Sequence, residues 1–176
     1  MNQKTAMKLF GLLGLLMLLS CGYADRHRNS SSCEQALVDS LEVRVQDSLF
    51  SNVHYSRSQL LEALTQTQDS LVYYRLLALY GKTFFVSSDF DSILYYNRRV
   101  KEFSRNASQS SESLQSPQWN DVLSDVYNIE GNVWMQLNRP DSAITDYKKA
   151  YEYRLKGKKL HLLPDICINT ADAYLH

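Results

Sequence analysis

Proline and glycine are scarce in this chain of 176 residues, which contains three prolines and six glycines. A turn-rich β fold uses many of both, so the composition favours helices and predicts an all-α fold. The chain also has no excess of positive or negative charge, because 19 lysines and arginines balance 19 aspartates and glutamates. Since no excess of positive charge draws the chain to a polyanion, we expect no nucleic acid among its partners.

Cysteine is also rare. The three cysteines lie at positions 21, 33 and 167, without the spacing of a disulfide framework or a zinc site. The four histidines are scattered and form no HExxH pattern. We therefore predict no metal site, no cofactor and no catalytic residue, and we expect that the protein is not an enzyme.

The first 20 residues have the features of a secretory signal. Lys4 and Lys8 precede an apolar run over residues 9–19, which is shorter than the roughly 20 residues that a membrane-spanning helix needs. The run ends in Leu18-Leu19-Ser20-Cys21, which resembles the lipobox of bacterial lipoproteins. This resemblance implies a lipid on Cys21 and a membrane-anchored protein of the bacterial cell envelope. An ordinary signal peptide with an incidental cysteine is the alternative.

Hydrophobic periodicity divides the remainder into helices joined by polar segments. The predicted organisation is a lipoprotein signal peptide (1–20), a polar tether (21–33), irregular N-terminal helices (34–68), a helical hairpin (69–105), a Ser-rich loop (106–116), a second hairpin (117–157) and the first helix of a further hairpin (164–176).

An Asp-Ser pair recurs along the chain, and three of its copies, at residues 69–70, 91–92 and 141–142, open predicted helices. A catalytic serine needs a base within hydrogen-bond reach, and no histidine is near any of the three copies. An aspartate at a helix start accepts hydrogen bonds from unpaired backbone N–H groups and faces the positive end of the helix dipole. The pairs therefore predict helix N-termini, with Asp69 and Asp89 as caps and Pro140 at the first helical position.

Aligning the second and third pairs reveals an internal repeat at an offset of 50 residues. It superposes Gly81 on Gly131 and Phe84 on Trp134, and a third copy follows with Ala171 in the glycine position. This pattern resembles the tetratricopeptide repeat, a helical hairpin of about 34 residues. The resemblance implies an α-solenoid in which the small residue lets the second helix of each hairpin approach closely.

The first hairpin departs from this pattern. Ile93 and Asn97 stand where the second hairpin has Ala143 and Tyr147. We therefore expect the first hairpin to pack less closely than the second. In the same alignment Cys167 occupies an inward position, which predicts a buried thiol.

In this family the first helices of the hairpins line a concave groove that binds a protein or peptide. The resemblance implies that partner-binding positions lie on the first helices of both hairpins. Carried over to this sequence, they are Arg75, Ala78, Lys82, Phe85, Asp125, Asn128, Asn132, Met135 and Gln136. A solvated helix face without a ligand is the alternative.

The features together predict a protein-binding scaffold, a repeat lipoprotein of the bacterial envelope. The alternative is the N-terminal sensory region of a longer signalling receptor, such as a histidine kinase or a transcriptional regulator. Whether the reading frame continues past His176 would separate the two. The last helix belongs to an incomplete hairpin, and we expect Ile166, Ile168, Ala171 and Leu175 to be partly uncovered.

Overall fold

The structure is a computed structural model that describes residues 35–45, 47, 51–107 and 112–176. Within these residues every regular element is helical and no strand occurs, which confirms the all-α prediction. The predicted signal peptide and Cys21 lie outside the described residues. The α-helices are α1 (residues 35–45), α2 (Val53–Gln66), α3 (Ser70–Lys82), α4 (Phe90–Ala107), α5 (Pro117–Gln136), α6 (Pro140–Leu155) and α7 (Leu163–Leu175).

The aspartates at the helix starts act as caps. The Asp69 carboxylate accepts hydrogen bonds from the backbone N–H groups of Leu71 (2.8 Å) and Val72 (3.1 Å) at the start of α3. Asp89 accepts from the Ser92 N–H (3.1 Å) and hydroxyl (2.7 Å) at the start of α4. These bonds lower the pKa of the Asp89 carboxyl. The Asp-Ser pairs at 69–70, 91–92 and 141–142 thus lie at helix N-termini, as the sequence predicted.

The turn that joins α3 to α4 recurs between α5 and α6. Ser88 (φ 52°) and Asn138 (φ 56°) both adopt the left-handed conformation, and they stand 50 residues apart. The backbone hydrogen bonds match at the same offset. Ser88 N donates to Phe85 O (3.1 Å) as Asn138 N donates to Met135 O (3.0 Å), and Asp89 N donates to Phe84 O (3.2 Å) as Arg139 N donates to Trp134 O (2.8 Å). The internal repeat is therefore a repeat of backbone geometry.

The two hairpins differ in which atoms lie against the glycine of the first helix. A Cβ atom on Gly131 would lie 2.3 Å from the Tyr147 ring, whereas one on Gly81 would lie 2.9 Å from Tyr96 Cβ. The α5–α6 contact is also more extensive than the α3–α4 contact. The aromatic residue beside Gly81 is Tyr96, one position before the residue that the alignment chose.

Three clusters of buried apolar side chains hold the helices together in chain order. In the first, Val38, Leu41 and Val45 of α1 pack on α2 and α3. The second joins α3, α4 and α5, and Leu114 of the short 3-10 helix Glu112–Gln115 enters it. The predicted Ser-rich loop is therefore partly helical, since α4 also extends to Ala107. The third cluster joins α5, α6 and α7.

The last helix is half covered. Ile166 is buried in the third cluster, so the prediction that it would be uncovered is wrong. Ile168 (66% exposed) and Leu175 (86% exposed) are open to solvent, as is Ala171. Cys167 is exposed too, which corrects the expectation of a buried thiol. It is exposed because, among the described residues, no helix covers this side of α7 in the way that α6 covers α5.

Candidate functional site

Helix α5 presents a row of polar side chains along one face. Asp125, Asn128, Asn132 and Gln136 are spaced three, four and four residues apart, which places them above one another on a helix. Asn128 and Asn132 are half-buried and Gln136 is exposed at the helix end. The structure therefore brings the four polar positions predicted on this helix to a single face.

Asn128 meets an amide of the last helix. The Asn169 Nδ2 group of α7 donates a hydrogen bond to Asn128 Oδ1 at 3.2 Å, and both side chains are half-buried. Within the described part of the chain, the Asn128 Nδ2 hydrogens find no acceptor. The contact thus fixes the orientation of Asn128 through one amide atom and leaves the other amide atom open.

Asn132 is held in the same way by α6. The Tyr147 hydroxyl donates to Asn132 Oδ1 at 2.7 Å. Burial, with a smaller contribution from the nearby Asp172 carboxylate, raises the pKa of Tyr147 to about 12. Because the phenol keeps its proton at neutral pH, it remains a hydrogen-bond donor and holds the Asn132 side chain in one orientation.

A polar cleft of about 260 Å³ continues from this face. It lies where the end of α5, the start of α6 and the end of α7 meet. Its lining residues are Met135, Gln136, Asn138, Pro140, Asp172 and His176. We call Asn128, Asn132 and Gln136 of α5, together with Asn169 of α7, the amide row. The amide row and the cleft form one surface, since Gln136 belongs to both.

Asp125 is engaged inside the chain. Its carboxylate contacts Nη2 of the buried Arg154, whose Nη1 donates to Asp121 Oδ1 at 2.8 Å. Asp125 is therefore a partner of an internal guanidinium, and the open part of the α5 face begins at Asn128.

Arg75 is also engaged inside the chain, although it was predicted to face a ligand. It is only 7% exposed, and its guanidinium donates to Gln35 and to Asp39 (2.8 Å) of α1, with Glu42 at 3.8 Å. These three α1 residues recur at helical spacing, so one face of α1 covers Arg75. The sequence could not show this, because residues 34–68 lack the repeat pattern.

The other predicted residues of the first hairpin are partly covered by their own surroundings. Lys82 is half-buried in the last turn of α3. Phe85 lies in the 3-10 helix Thr83–Ser87, with its ring centroid 6.4 Å from that of Phe90. Ala78 packs against the second apolar cluster. With Arg75 engaged by α1 and Ala78 packed in the second cluster, the α3 set offers no row of open polar side chains like that of α5.

Sequence reasoning missed Asn169, Asp172 and His176. The signal was present, because the 40-residue offset of the third copy places Asp172 on Asn132 and His176 on Gln136. Extending the partner-binding positions to α7 would have found these two. Asn169 was harder to find, since it stands one position from the equivalent of Asn128.

In the described residues, no three histidine, cysteine, aspartate or glutamate side chains come close enough to share a metal ion. The same part of the chain contains no helix that is both long and apolar enough to span a bilayer. The chain matches no protein-family model, and the searches of curated proteins and of solved structures give no match either.

Proposed function

We propose that this chain is a non-enzymatic scaffold that binds a protein or peptide on the amide row. The observation that carries the proposal is the way these amides are held. Asn128 is fixed through its Oδ1 atom by Asn169, and Asn132 through its Oδ1 atom by Tyr147. Their Nδ2 groups have no acceptor elsewhere among the described residues, so they remain available to a ligand.

A carboxamide pairs well with a polypeptide backbone, because it offers the same N–H donor and C=O acceptor as a peptide bond. Side chains that are already fixed lose little conformational entropy when the ligand binds. The amide row carries no formal charge, and the adjoining cleft adds the carboxylate of Asp172. These properties suit an extended segment that is recognised through its main chain.

We further propose that the hairpins are repeats of the tetratricopeptide type. The matched turns at Ser88 and Asn138 support this, as does the glycine of each first helix against an aromatic residue of the second. In such repeats the first helices face the ligand. The position of the amide row on α5 and α7 agrees with that arrangement.

The proposal is tested with peptides that are selected from a random display library for binding to the immobilised chain. We expect Asn128→Ala and Asn169→Ala each to weaken binding of a selected peptide by about five- to tenfold, since each removes a neutral hydrogen bond or its support. Asn106→Ala, an exposed amide at the end of α4, is the control and should leave the affinity unchanged. If all three variants bind equally well, the ligand does not use the amide row.

We also propose that the protein is a lipoprotein of the bacterial cell envelope, anchored through Cys21. The support is the sequence alone, namely the apolar run over residues 9–19, whose last two residues begin the segment Leu18-Leu19-Ser20-Cys21. Cys21→Ser removes the thiol that would carry the lipid, so the protein should move from the membrane fraction to the soluble fraction. Cys33→Ser is the control, and equal membrane retention of both variants after a high-salt wash would refute the anchor.

A further inference from the structure

The turn between α6 and α7 is held rigidly from inside. The buried Asp121 carboxylate accepts hydrogen bonds from the backbone N–H groups of Lys158 (2.9 Å) and Lys159 (3.2 Å). A Cβ atom on Gly157 would lie 2.1 Å from Asp121 Oδ1, so only glycine allows the turn to approach this closely. Arg154 neutralises the same carboxylate. The backbone of the turn is therefore fixed before any partner arrives.

The outer surface of this turn combines cationic and apolar side chains. Lys156 and Lys158 are exposed, and they lie between Leu155 (53% exposed) and Leu160 (51% exposed). Two open leucines beside lysines contribute nothing to the packed clusters of the fold. The same combination is typical of surfaces that rest on a membrane, where apolar side chains enter the interface and lysines meet anionic headgroups.

The turn lies next to the helix that follows the predicted tether. Lys159 Nζ forms an ion pair with Glu42 of α1, which is the first described helix of the chain. A fully extended segment from Cys21 to Gln35 spans at most about 50 Å. A lipid on Cys21 would therefore keep this side of the molecule within reach of the membrane.

We propose that the turn over residues 155–160 rests on an anionic phospholipid surface. Leu155 and Leu160 enter the interface, and the ammonium groups of Lys156 and Lys158 meet the lipid phosphates. The orientation of the molecule relative to the membrane rests on the proposed anchor at Cys21. The surface itself stands on its own, because its charge and its exposed leucines do not depend on a lipid.

A tryptophan in the turn tests this directly. The full chain carries two substitutions. Cys21→Ser ensures that no lipid at that residue holds the chain, and Leu160→Trp places a tryptophan in the turn. This variant is mixed with phosphatidylglycerol vesicles that have brominated acyl chains. We expect the vesicles to quench the fluorescence of the new tryptophan. The fluorescence of a tryptophan introduced by Leu61→Trp, at an exposed leucine of α2, should be quenched far less. Lys156→Glu with Lys158→Glu should reduce vesicle binding by at least about tenfold.

The matched charge control is Arg98→Glu with Lys148→Glu, which changes the net charge equally at exposed positions of α4 and α6. This control should retain most of the binding. The proposal is wrong if Leu160→Trp is quenched no more than Leu61→Trp, or equally on phosphatidylcholine. Binding of the turn to polyglutamate but not to vesicles would assign an acidic protein instead. None of these outcomes bears on the Cys21 anchor, which is tested separately by fractionating Cys21→Ser at high salt, where contacts between lysines and anionic headgroups are screened.

Discussion

Arg154 is buried at the junction of α5 and α6, where its guanidinium contacts the carboxylates of Asp121 and Asp125. Removing one member of such a buried group leaves an uncompensated charge. Asp121 also holds the backbone of the 155–160 turn. These side chains therefore position the loop that follows α6.

Glu130 offers a pH-dependent test at the residue scale. It is buried on α5, facing Lys101 (Nζ to Oε2 2.5 Å) and Asn97 of α4, and Asp146 of α6. Burial raises the pKa of its carboxyl, while the charge of Lys101 opposes the change. Because the folded-state pKa exceeds the unfolded one, the stability that Glu130 contributes is present below its unfolded pKa and is lost as pH rises.

We therefore expect Glu130→Gln to gain stability relative to the native chain as pH rises from about 4 to about 7, in urea unfolding. Lys101 tolerates the change, because it also lies 5.2 Å from the Tyr127 ring centroid. Glu102→Gln, on the exposed side of α4, should show no such trend. If the stability of Glu130→Gln relative to the native chain fell with rising pH, the attraction of Lys101 would outweigh the effect of burial on the Glu130 pKa.

At the scale of the helices, Gly131 determines how closely α5 and α6 approach. An alanine there would place its Cβ 2.3 Å from the Tyr147 ring, which is buried and hydrogen-bonded to Asn132. We expect Gly131→Ala to destabilise the protein by about 1–3 kcal/mol in chemical unfolding, despite the better helix propensity of alanine.

Gly81→Ala is the matched comparison in the first hairpin. Its Cβ would meet a single atom of Tyr96 at 2.9 Å, with the next contacts at 3.7 Å. The gain in helix propensity, about 1 kcal/mol, offsets much of that strain. The loss of stability should therefore be clearly smaller than for Gly131→Ala. Equal losses would show that the two glycines are equally crowded by the second helix of their hairpin.

Local features of the fold could be predicted from the sequence, because they depend on neighbouring residues. The cap at Asp69 and the glycine positions at 81 and 131 follow from short patterns. Arg75 could not be predicted, since its partners lie on α1, outside the repeat. The exposure of Cys167 depends on whether another helix packs on α7, which spacing within α7 cannot show.

The candidate site could be predicted only in part, because sequence spacing places residues on one face of a helix but does not orient their side chains. The helical spacing of Asn128, Asn132 and Gln136 places them on one face of α5. The orientation of these amides comes from Asn169 and Tyr147, on two other helices. Contacts of this kind arise only when α5, α6 and α7 have packed together.

At the scale of the whole molecule, the helices pack in chain order and the candidate surfaces lie on the second half. The amide row runs along α5 and α7, and the 155–160 turn connects α6 to α7. The Lys159–Glu42 ion pair links that turn back to α1. On the proposed account, one surface meets the membrane while another holds a protein ligand.

The side-chain amide NMR signals of the full chain test this account most directly, with a display-selected peptide as the ligand. At saturation, we expect the Nδ2 signals of Asn128 and Asn132 and the Nε2 signal of Gln136 to shift, because these groups bind the peptide. The signals of Asn52, the N-cap of α2, and of Asn106 in α4 should stay in place. Binding that shifts the two control signals and leaves the amide row unchanged would contradict the account.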